Sequence, residues 1–180
     1  KLIKAQRNDV EFQLLGAIDS GNPSGVPQSV VEDAVSNGFI NYLGTTSDVL
    51  PIIGEADCMV LPSYREGISR VLMEAASMEK PIIATNVTGC REVINDGETG
   101  FLCKVKSPVD LAHKMAKIIN MTEKEKVVMG QKGRVKVIEE MDLEKIIDIY
   151  DYKIAAVLGE EEGITVDLQE LISLRKTKKI

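Results

Sequence analysis

The sequence contains no tryptophan, and aromatic residues make up only 4% of its 180 residues. Proteins that bind single-stranded nucleic acid rely on aromatic side chains on which the bases stack. The formal net charge is −6 and the isoelectric point is near 5.0, which opposes broad contact with a phosphate backbone. Nucleic acid is therefore not an expected partner. A local group of cationic side chains can still hold one small phosphorylated ligand.

Histidine and cysteine are scarce as well. The chain has one histidine, His113, and three widely spaced cysteines, Cys58, Cys90 and Cys103, without a C-x-x-C pair. Zinc sites gather such residues at short, regular spacing, so we expect no metal site. We expect no resident cofactor either. Two of the cysteines lie in apolar runs, which is typical of small buried residues in a reducing compartment.

No run of about 18 apolar residues occurs, and no signal peptide is recognisable, so we expect a cytoplasmic protein. The chain opens on "KLIKAQ", a pattern typical of the last turns of an amphipathic helix, with no capping residue before it. We therefore expect the chain to be a fragment whose upstream partner is missing.

Short apolar runs alternate with helical patterns through the first two thirds of the sequence. Strands are predicted at residues 10–16, 40–44, 58–63, 81–86 and 100–105, and helices at 27–38, 47–56, 68–79 and 90–97. Several strands are apolar almost throughout, as buried parallel strands are. The pattern predicts an α/β fold with a Rossmann-like, doubly wound parallel sheet.

After residue 105 the pattern is helical only. One helix is predicted at 107–121, starting with Ser107 as N-cap and a proline after it. A second, at 122–140, carries two glycines and is expected to kink or break. A third, at 142–158, is expected to end at Gly159. The predicted organisation is one domain, 1–158, followed by a C-terminal tail, 159–180.

The stretch "LPSYREGISR" joins a predicted strand to a predicted helix. In open α/β sheets ligands bind at such junctions, outside the carboxyl ends of the strands. Gly67 lets a ligand approach the backbone, and the free N–H groups of Ile68, Ser69 and Arg70 favour an anion. An acid beside an anion site needs another task, such as accepting hydrogen bonds from hydroxyl groups. A phosphorylated sugar matches both features, because its phosphate can accept from the N–H groups and its hydroxyl groups can donate to Glu66.

Glu66 is followed by a second acid, Glu74, after seven intervening residues. A helical span of that length is roughly 12 Å, too wide for the carboxylate pair of a glycosidase. It suits an extended ligand with hydroxyl groups at both ends, such as a nucleotide sugar. The spacing alone is equally compatible with a structural interpretation, in which Glu66 caps the helix and Glu74 is a solvated helix residue. Likewise Arg65 and Arg70 either neutralise phosphate or form surface ion pairs.

The segment "SYREGISRVLMEAASMEKPIIATNVTGCREVINDGETGFLC" resembles the retaining GT-B glycosyltransferases of the family 4 group. Their signature is E-x7-E, followed by an "EA…GKPII…G…E" pattern and a glycine-rich turn. The wider resemblance, from about residue 10 to residue 158, is to the nucleotide-sugar-binding C-terminal domain of bacterial polysaccharide-type transferases.

The resemblance implies a role for each matching residue. Glu66, the catalytic candidate, contacts hydroxyls of the donor sugar, and backbone amides from Gly67 through Ile68 to Ser69 approach the sugar and diphosphate. Glu74 holds the ribose, and residues near Leu43 and Gly44 lie by the base. In addition, the segment "VTGCREVI" forms a Gly-x-x-Glu turn in which Glu92 orders a loop, while Gly97 and Gly100 are turn glycines.

The resemblance further implies a hexosyl or N-acetylhexosaminyl transferase that retains anomeric configuration without a metal. Its donor is a nucleotide-diphosphate sugar, expected to be UDP-linked, and its acceptor a saccharide or lipid-linked saccharide at the inner face of the membrane. The chain departs from the pattern at Ser69, where proline is common, and at Glu79, where glycine is common. The resemblance implies that the diphosphate-binding arginine and lysine of the family, and its N-terminal GT-B domain, are to be expected upstream of Lys1, so the fragment is expected to be inactive alone.

Two other functions remain open from the residues. A GT-B sugar-nucleotide epimerase shares the fold but needs proton-shuttling groups in the cleft, where no histidine is found. A non-catalytic nucleotide-binding module, such as a receiver, needs clustered aspartates at strand ends, and only Asp57 is near such a position.

Overall fold

The computed structural model describes residues 1–19, 21 and 25–162 of the chain. It has five short strands and seven helices within these residues. The strands are β1 (Gln13–Leu15), β2 (Asn41–Gly44), β3 (Met59–Leu61), β4 (Ile82–Thr85) and β5 (Gly100–Cys103). The helices are α1 (Gln28–Ser36), α2 (Leu50–Glu55), α3 (Arg70–Ser77), α4 (Thr88–Val93), α5 (Pro108–Asn120), α6 (Glu123–Glu140) and α7 (Leu143–Glu162).

All strand pairs are parallel, which confirms the predicted α/β class. The strands form two sheets, β1–β2 and β3–β4–β5, where the sequence predicted one continuous sheet. The β1–β2 pair is short, and its register shifts between Leu14 and Leu15. Gln13 and Leu14 are exposed, so β1 has little of the apolar surface by which a strand is held inside a larger sheet.

The core of the larger sheet is β4, whose four residues are all buried. Because successive side chains point to opposite faces, this strand needs cover on both sides. On one face Ile83 packs with Ile118 of α5 and Met129 of α6. The helix α3 contacts β3 and β4 and buries Leu72 completely. Burying a leucine side chain contributes about 1.5–3 kcal/mol to stability.

The chain divides into two compact units, Lys1–Val135 and the part that begins at Lys136. The first unit contains both sheets. The second contains the C-terminal end of α6 and the helix α7. The predicted boundary at residue 158 is not tested by this division and stays a prediction.

The structure differs from the predicted helices at the glycines of α6, at the end of α7 and at the start of the chain. The helix α6 continues through both of its glycines, and α7 passes Gly159 and ends at Glu162. A glycine costs a helix only about 1 kcal/mol relative to alanine, which the good helix formers around it offset. At the start of the chain, where the opening pattern predicted the end of a helix, residues 2–6 form turns, with the N–H groups of Ala5 and Arg7 donating to the carbonyl oxygens of Lys1 and Ile3, each at 2.9 Å. The remainder of the predicted tail, 163–180, lies outside the described residues.

Among the described residues, no helix is both long and apolar enough to cross a membrane.

Candidate functional site

An open cleft of about 640 Å³ lies beyond the carboxyl ends of β3 and β4. This is the edge at which the sequence predicted a ligand. Two of the predicted site residues, Glu66 and Gly67, line the cleft. Its full lining is Tyr64, Arg65, Glu66, Gly67, Asn86, Val87, Thr88 and Arg91.

The loop between β3 and α3 forms one wall of the cleft. It leaves β3 at Pro62, which cannot donate a hydrogen bond to a sheet, and reaches α3 at Arg70. The hydroxyl of Thr85, 2% exposed at the end of β4, donates a hydrogen bond to the carbonyl oxygen of Ser63. This bond ties the start of the loop to the central strand.

Ser69 is the N-cap residue of α3, but its side chain accepts no capping hydrogen bond. The predicted helix began at residue 68, whereas the observed helix begins at Arg70, so Ile68 and Ser69 precede it. The side chain of Ile68 is 60% exposed, and Ser69 is buried. The Ser69 side chain therefore does not cap the backbone N–H groups of the first turn of α3. An anion site at this helix start requires those groups to be without such a cap.

The second wall of the cleft is the start of α4, which packs against the loop through Gly89. A Cβ atom added to Gly89 would lie 1.4 Å from the carbonyl oxygen of Gly67 and 2.8 Å from that of Glu66. Only glycine allows the two backbones to come so close. The contact locks α4 to the peptide that carries the predicted ligand-binding acid.

Glu66 is half-buried at this junction. Burial raises the pKa of the fully buried Cys90 thiol, and the Glu66 carboxylate raises that pKa further. A half-buried carboxylate beside an open cleft can accept hydrogen bonds from ligand hydroxyl groups.

Glu74 lies on α3 and does not line the cleft. Its carboxylate is 3.8 Å from the Arg70 guanidinium, one helical turn away, and the Glu74 side chain is 31% exposed. Arg70 is thus engaged in a surface ion pair, one of the two roles left open by the sequence. Leu43 and Gly44 lie at the end of β2, also outside the cleft, and the Gly44 carbonyl accepts a hydrogen bond from the Gly16 N–H at 2.8 Å.

Sequence reasoning gave a ligand role to only three of the residues that line the cleft, and it missed Tyr64, Asn86, Val87, Thr88 and Arg91. The available signal was the pair "TN" at the end of a buried strand, followed by a short helix with a cation. Of the glycines further on, Gly97 has a φ of 85°, as a turn glycine does. Gly100 instead opens β5, where a Cβ would lie 2.4 Å from the Ile82 carbonyl oxygen.

Within the described ranges, histidine, cysteine, aspartate and glutamate side chains form no group of three that can hold a metal ion. His113 lies within α5 and takes no part in the cleft lining.

Residues 1–121 match the family described as glycosyl transferases group 1. The capsular polysaccharide biosynthesis glycosyltransferase CapM of Staphylococcus aureus is 28% identical over 163 residues, 91% of this chain and 42% of CapM. The N-acetyl-alpha-D-glucosaminyl L-malate synthase of Bacillus anthracis is 32% identical over 122 residues, 68% of this chain and 32% of that enzyme.

Solved structures share the fold, which is that of GT-B glycosyltransferases. A glycosyltransferase from Rickettsia africae superposes with a TM-score of 0.71 at 25% identity, over 84% of this chain and 42% of its own. Anabaena HepE, solved in complex with UDP, superposes with a TM-score of 0.73 at 21% identity, over 88% of this chain and 43% of its own. The chain thus spans less than half the length of these relatives.

Proposed function

The chain belongs to the glycosyl transferases group 1 family, and on that premise we propose that it supplies the donor-binding half of a retaining hexosyl or N-acetylhexosaminyl transferase. The donor is a nucleotide-diphosphate sugar, and the acceptor is a saccharide or a lipid-linked saccharide. The reaction needs no metal ion or resident cofactor.

One observation carries this proposal: a half-buried acid, Glu66, and a glycine, Gly67, lie side by side in a cleft beyond the carboxyl ends of β3 and β4. A carboxylate can accept hydrogen bonds from sugar hydroxyls, and an exposed glycine peptide lets a sugar approach the backbone. Two arginines among the lining residues favour an anionic ligand over a neutral one. A sugar that carries phosphate matches all of these features.

The other contacts follow the shape of an elongated donor. Glu74 is proposed to hold the ribose, and the backbone from Gly67 to Ser69 to face the sugar and diphosphate. The residues Leu43 and Gly44 are proposed to lie by the base. The partly exposed carboxylate of Glu74 supports its role, because only one of its oxygens is paired with Arg70, at 3.8 Å, and a carboxylate has further acceptor sites for a ribose hydroxyl.

Transfer of the sugar leaves negative charge on the departing diphosphate. The uncapped N–H groups at the start of α3 are oriented to stabilise such a charge, since a helix N-terminus carries a partial positive charge. In this mechanism the protein supplies fixed dipoles and cations instead of a metal ion. Uracil is the proposed base, supported by the UDP in the Anabaena complex. The proposed place of action is the cytoplasmic face of the membrane, with the protein bound peripherally.

The proposal is tested by calorimetric titration of the chain with UDP, UDP-N-acetylglucosamine and GDP-mannose. We expect the UDP compounds to bind and GDP-mannose to bind more weakly. Glu66→Gln should weaken the affinity for UDP-N-acetylglucosamine by about tenfold, as expected for the loss of a hydrogen bond to a charged group, and should leave the affinity for UDP unchanged.

The matched control is Glu55→Gln, which removes an exposed acid at the end of α2. It should leave the affinity for all three ligands unchanged. If the wild-type chain binds none of the nucleotides at millimolar concentration, the proposed function is wrong. If Glu66→Gln binds the nucleotide sugar as tightly as Glu55→Gln does, Glu66 does not contact the sugar.

A further inference from the structure

Arg91 forms part of the cleft wall in an arrangement that the donor contacts proposed above do not use. Its Nη1 donates to Asn86 Oδ1 at 3.2 Å, and its Nη2 donates to Thr88 Oγ1 at 3.4 Å. All three residues line the cleft. Asn86 follows β4 directly, and α4 is locked to the Glu66–Gly67 peptide through Gly89. The guanidinium is therefore held on a backbone that is fixed relative to Glu66.

Both partners of Arg91 are neutral. Among the residues that the structure describes, no carboxylate lies within ion-pair distance of its guanidinium, so its positive charge is not neutralised by the protein. A guanidinium has five N–H donors in a planar fork, which matches the oxygens of a phosphate group. Two of the donors hold the side chain in place, and the others remain for a ligand.

One further cation lines the cleft, and another contacts a residue of its lining. Arg65 is one of its lining residues, and it makes no side-chain hydrogen bond within the described part of the chain. The ammonium of Lys106 lies 5.3 Å from the centre of the ring of Tyr64, another lining residue. Glu66 is the one acid in the lining. The cleft is thus cationic in a chain whose net charge is −6.

The contacts proposed for the nucleoside lie elsewhere. Leu43, Gly44 and Glu74 do not line the cleft, so the nucleoside part of a donor does not fill it. The cleft instead combines one hydroxyl-accepting group, Glu66, with one positioned guanidinium, Arg91. That combination fits the sugar end of a phosphorylated ligand.

We propose that Arg91, positioned by Asn86 and Thr88, binds a phosphate group of a phosphorylated sugar. Glu66 accepts hydrogen bonds from the hydroxyl groups of the same sugar. This inference rests on the proposed function, because it takes the ligand to be a phosphorylated sugar. The phosphate has two possible sources with the same chemistry. It belongs either to the diphosphate of the donor or to a glycosyl phosphate that serves as acceptor.

The test compares Arg91→Gln with the wild-type chain in titrations with UDP-N-acetylglucosamine and with N-acetylglucosamine 1-phosphate. Loss of a charge-assisted hydrogen bond should weaken binding by about tenfold or more. Arg91→Lys keeps the charge but loses the planar fork, and its affinity should fall between those of the wild type and Arg91→Gln. Arg7→Gln is the matched control, because Arg7 is an arginine paired with Asp9 outside the cleft lining. Thermal unfolding of each variant shows that it is folded.

A tenfold loss for the nucleotide sugar identifies the donor diphosphate as the source. A loss confined to N-acetylglucosamine 1-phosphate identifies a separate glycosyl phosphate. If the wild type binds either ligand and Arg91→Gln binds it as tightly as Arg7→Gln, the inference is overturned while the proposed function stands. If UDP, UDP-N-acetylglucosamine and GDP-mannose all fail to bind but the sugar phosphate binds in an Arg91-dependent way, the proposed function fails and the phosphate site stands. If neither UDP-N-acetylglucosamine nor the sugar phosphate binds the wild-type chain at millimolar concentration, the inference is wrong, and the proposed function is wrong as well if UDP and GDP-mannose also fail to bind.

Discussion

Gly89 of α4 lies directly against Gly67 of the loop that follows β3, so closely that a methyl group on Gly89 would lie 1.4 Å from the Gly67 carbonyl oxygen. The two residues are far apart in sequence and meet because β3 and β4 are paired neighbours. The position of Glu66 in the cleft depends on this backbone contact.

The first prediction concerns Gly89→Ala. The added methyl group must displace the Glu66–Gly67 peptide or α4, at a cost of about 1–3 kcal/mol in the free energy of unfolding. Because Glu66 moves with that peptide, the affinity for UDP-N-acetylglucosamine should fall as well. Chemical denaturation and titration calorimetry measure the two effects.

Gly133→Ala in α6 is the control for that prediction. A Cβ on Gly133 meets its nearest atom, the Thr99 carbonyl oxygen, at 3.6 Å, an ordinary contact distance. The substitution should stabilise the protein by about 0.5–1 kcal/mol, since alanine favours a helix over glycine. Equal effects of Gly89→Ala and Gly133→Ala would contradict the importance of the close approach.

The second prediction concerns Glu74. Glu74→Gln should weaken the affinity for UDP about tenfold, because a charge-assisted hydrogen bond to the ribose is lost. The affinity for inorganic pyrophosphate should not change. Arg70→Gln breaks the same ion pair and leaves the Glu74 carboxylate in place. The Arg70 side chain is 88% exposed, so its loss should change stability very little. If both variants lose UDP affinity equally, the ion pair rather than the ribose contact explains the result.

The third prediction concerns Glu79, which has a left-handed φ of 59° at the end of α3. A residue with a Cβ in this conformation costs roughly 1–2 kcal/mol relative to glycine, partly offset by the greater freedom of glycine in the unfolded chain. Glu79→Gly should therefore be more stable than Glu79→Ala by about 0.5–1 kcal/mol. Both variants remove the carboxylate that lies 3.8 Å from Arg134, so the comparison isolates the backbone. Equal denaturation midpoints would contradict the strain at this position.

The fourth prediction concerns alkaline pH. Burial, followed by the charge of Asp57, raises the pKa of Cys58 from 9.0 to about 12. Between these values the unfolded chain releases the thiol proton while the folded protein keeps it, so unfolding becomes more favourable as the pH rises. The contribution to the slope reaches about 1.4 kcal/mol per pH unit.

Cys58→Ala should flatten the fall in unfolding free energy above pH 9 relative to the wild type, with no change of slope below pH 8, where the thiol is protonated in both states. Denaturant titrations across this range give the two slopes. Parallel curves for the two proteins above pH 9 would show that Cys58 does not keep its proton in the fold.

Local patterns were enough to place the strand–loop–helix junction at Glu66 and Gly67. That junction is encoded by neighbouring residues: an apolar strand, a proline, a glycine and an amphipathic helix. The same patterns placed the five strands of the described residues, although each observed strand is shorter than predicted. The end of α7 was placed too early, since one glycine does not outweigh the helix formers on both sides of it.

The sequence by itself determined the α/β class, the parallel strands and the acid at the mouth of the cleft, because each depends on residues that are close in the chain. Only the tertiary structure decided that Gly89 supports the Glu66–Gly67 peptide and that Arg91 shares a cleft with Glu66. These relationships require β3 and β4 to pair in a particular register, Val60 beside Ile83, which brings two distant loops to one edge of the sheet. The close approach of two backbones and the charge of a cleft are properties of that pairing, which periodicity and spacing along one segment do not contain.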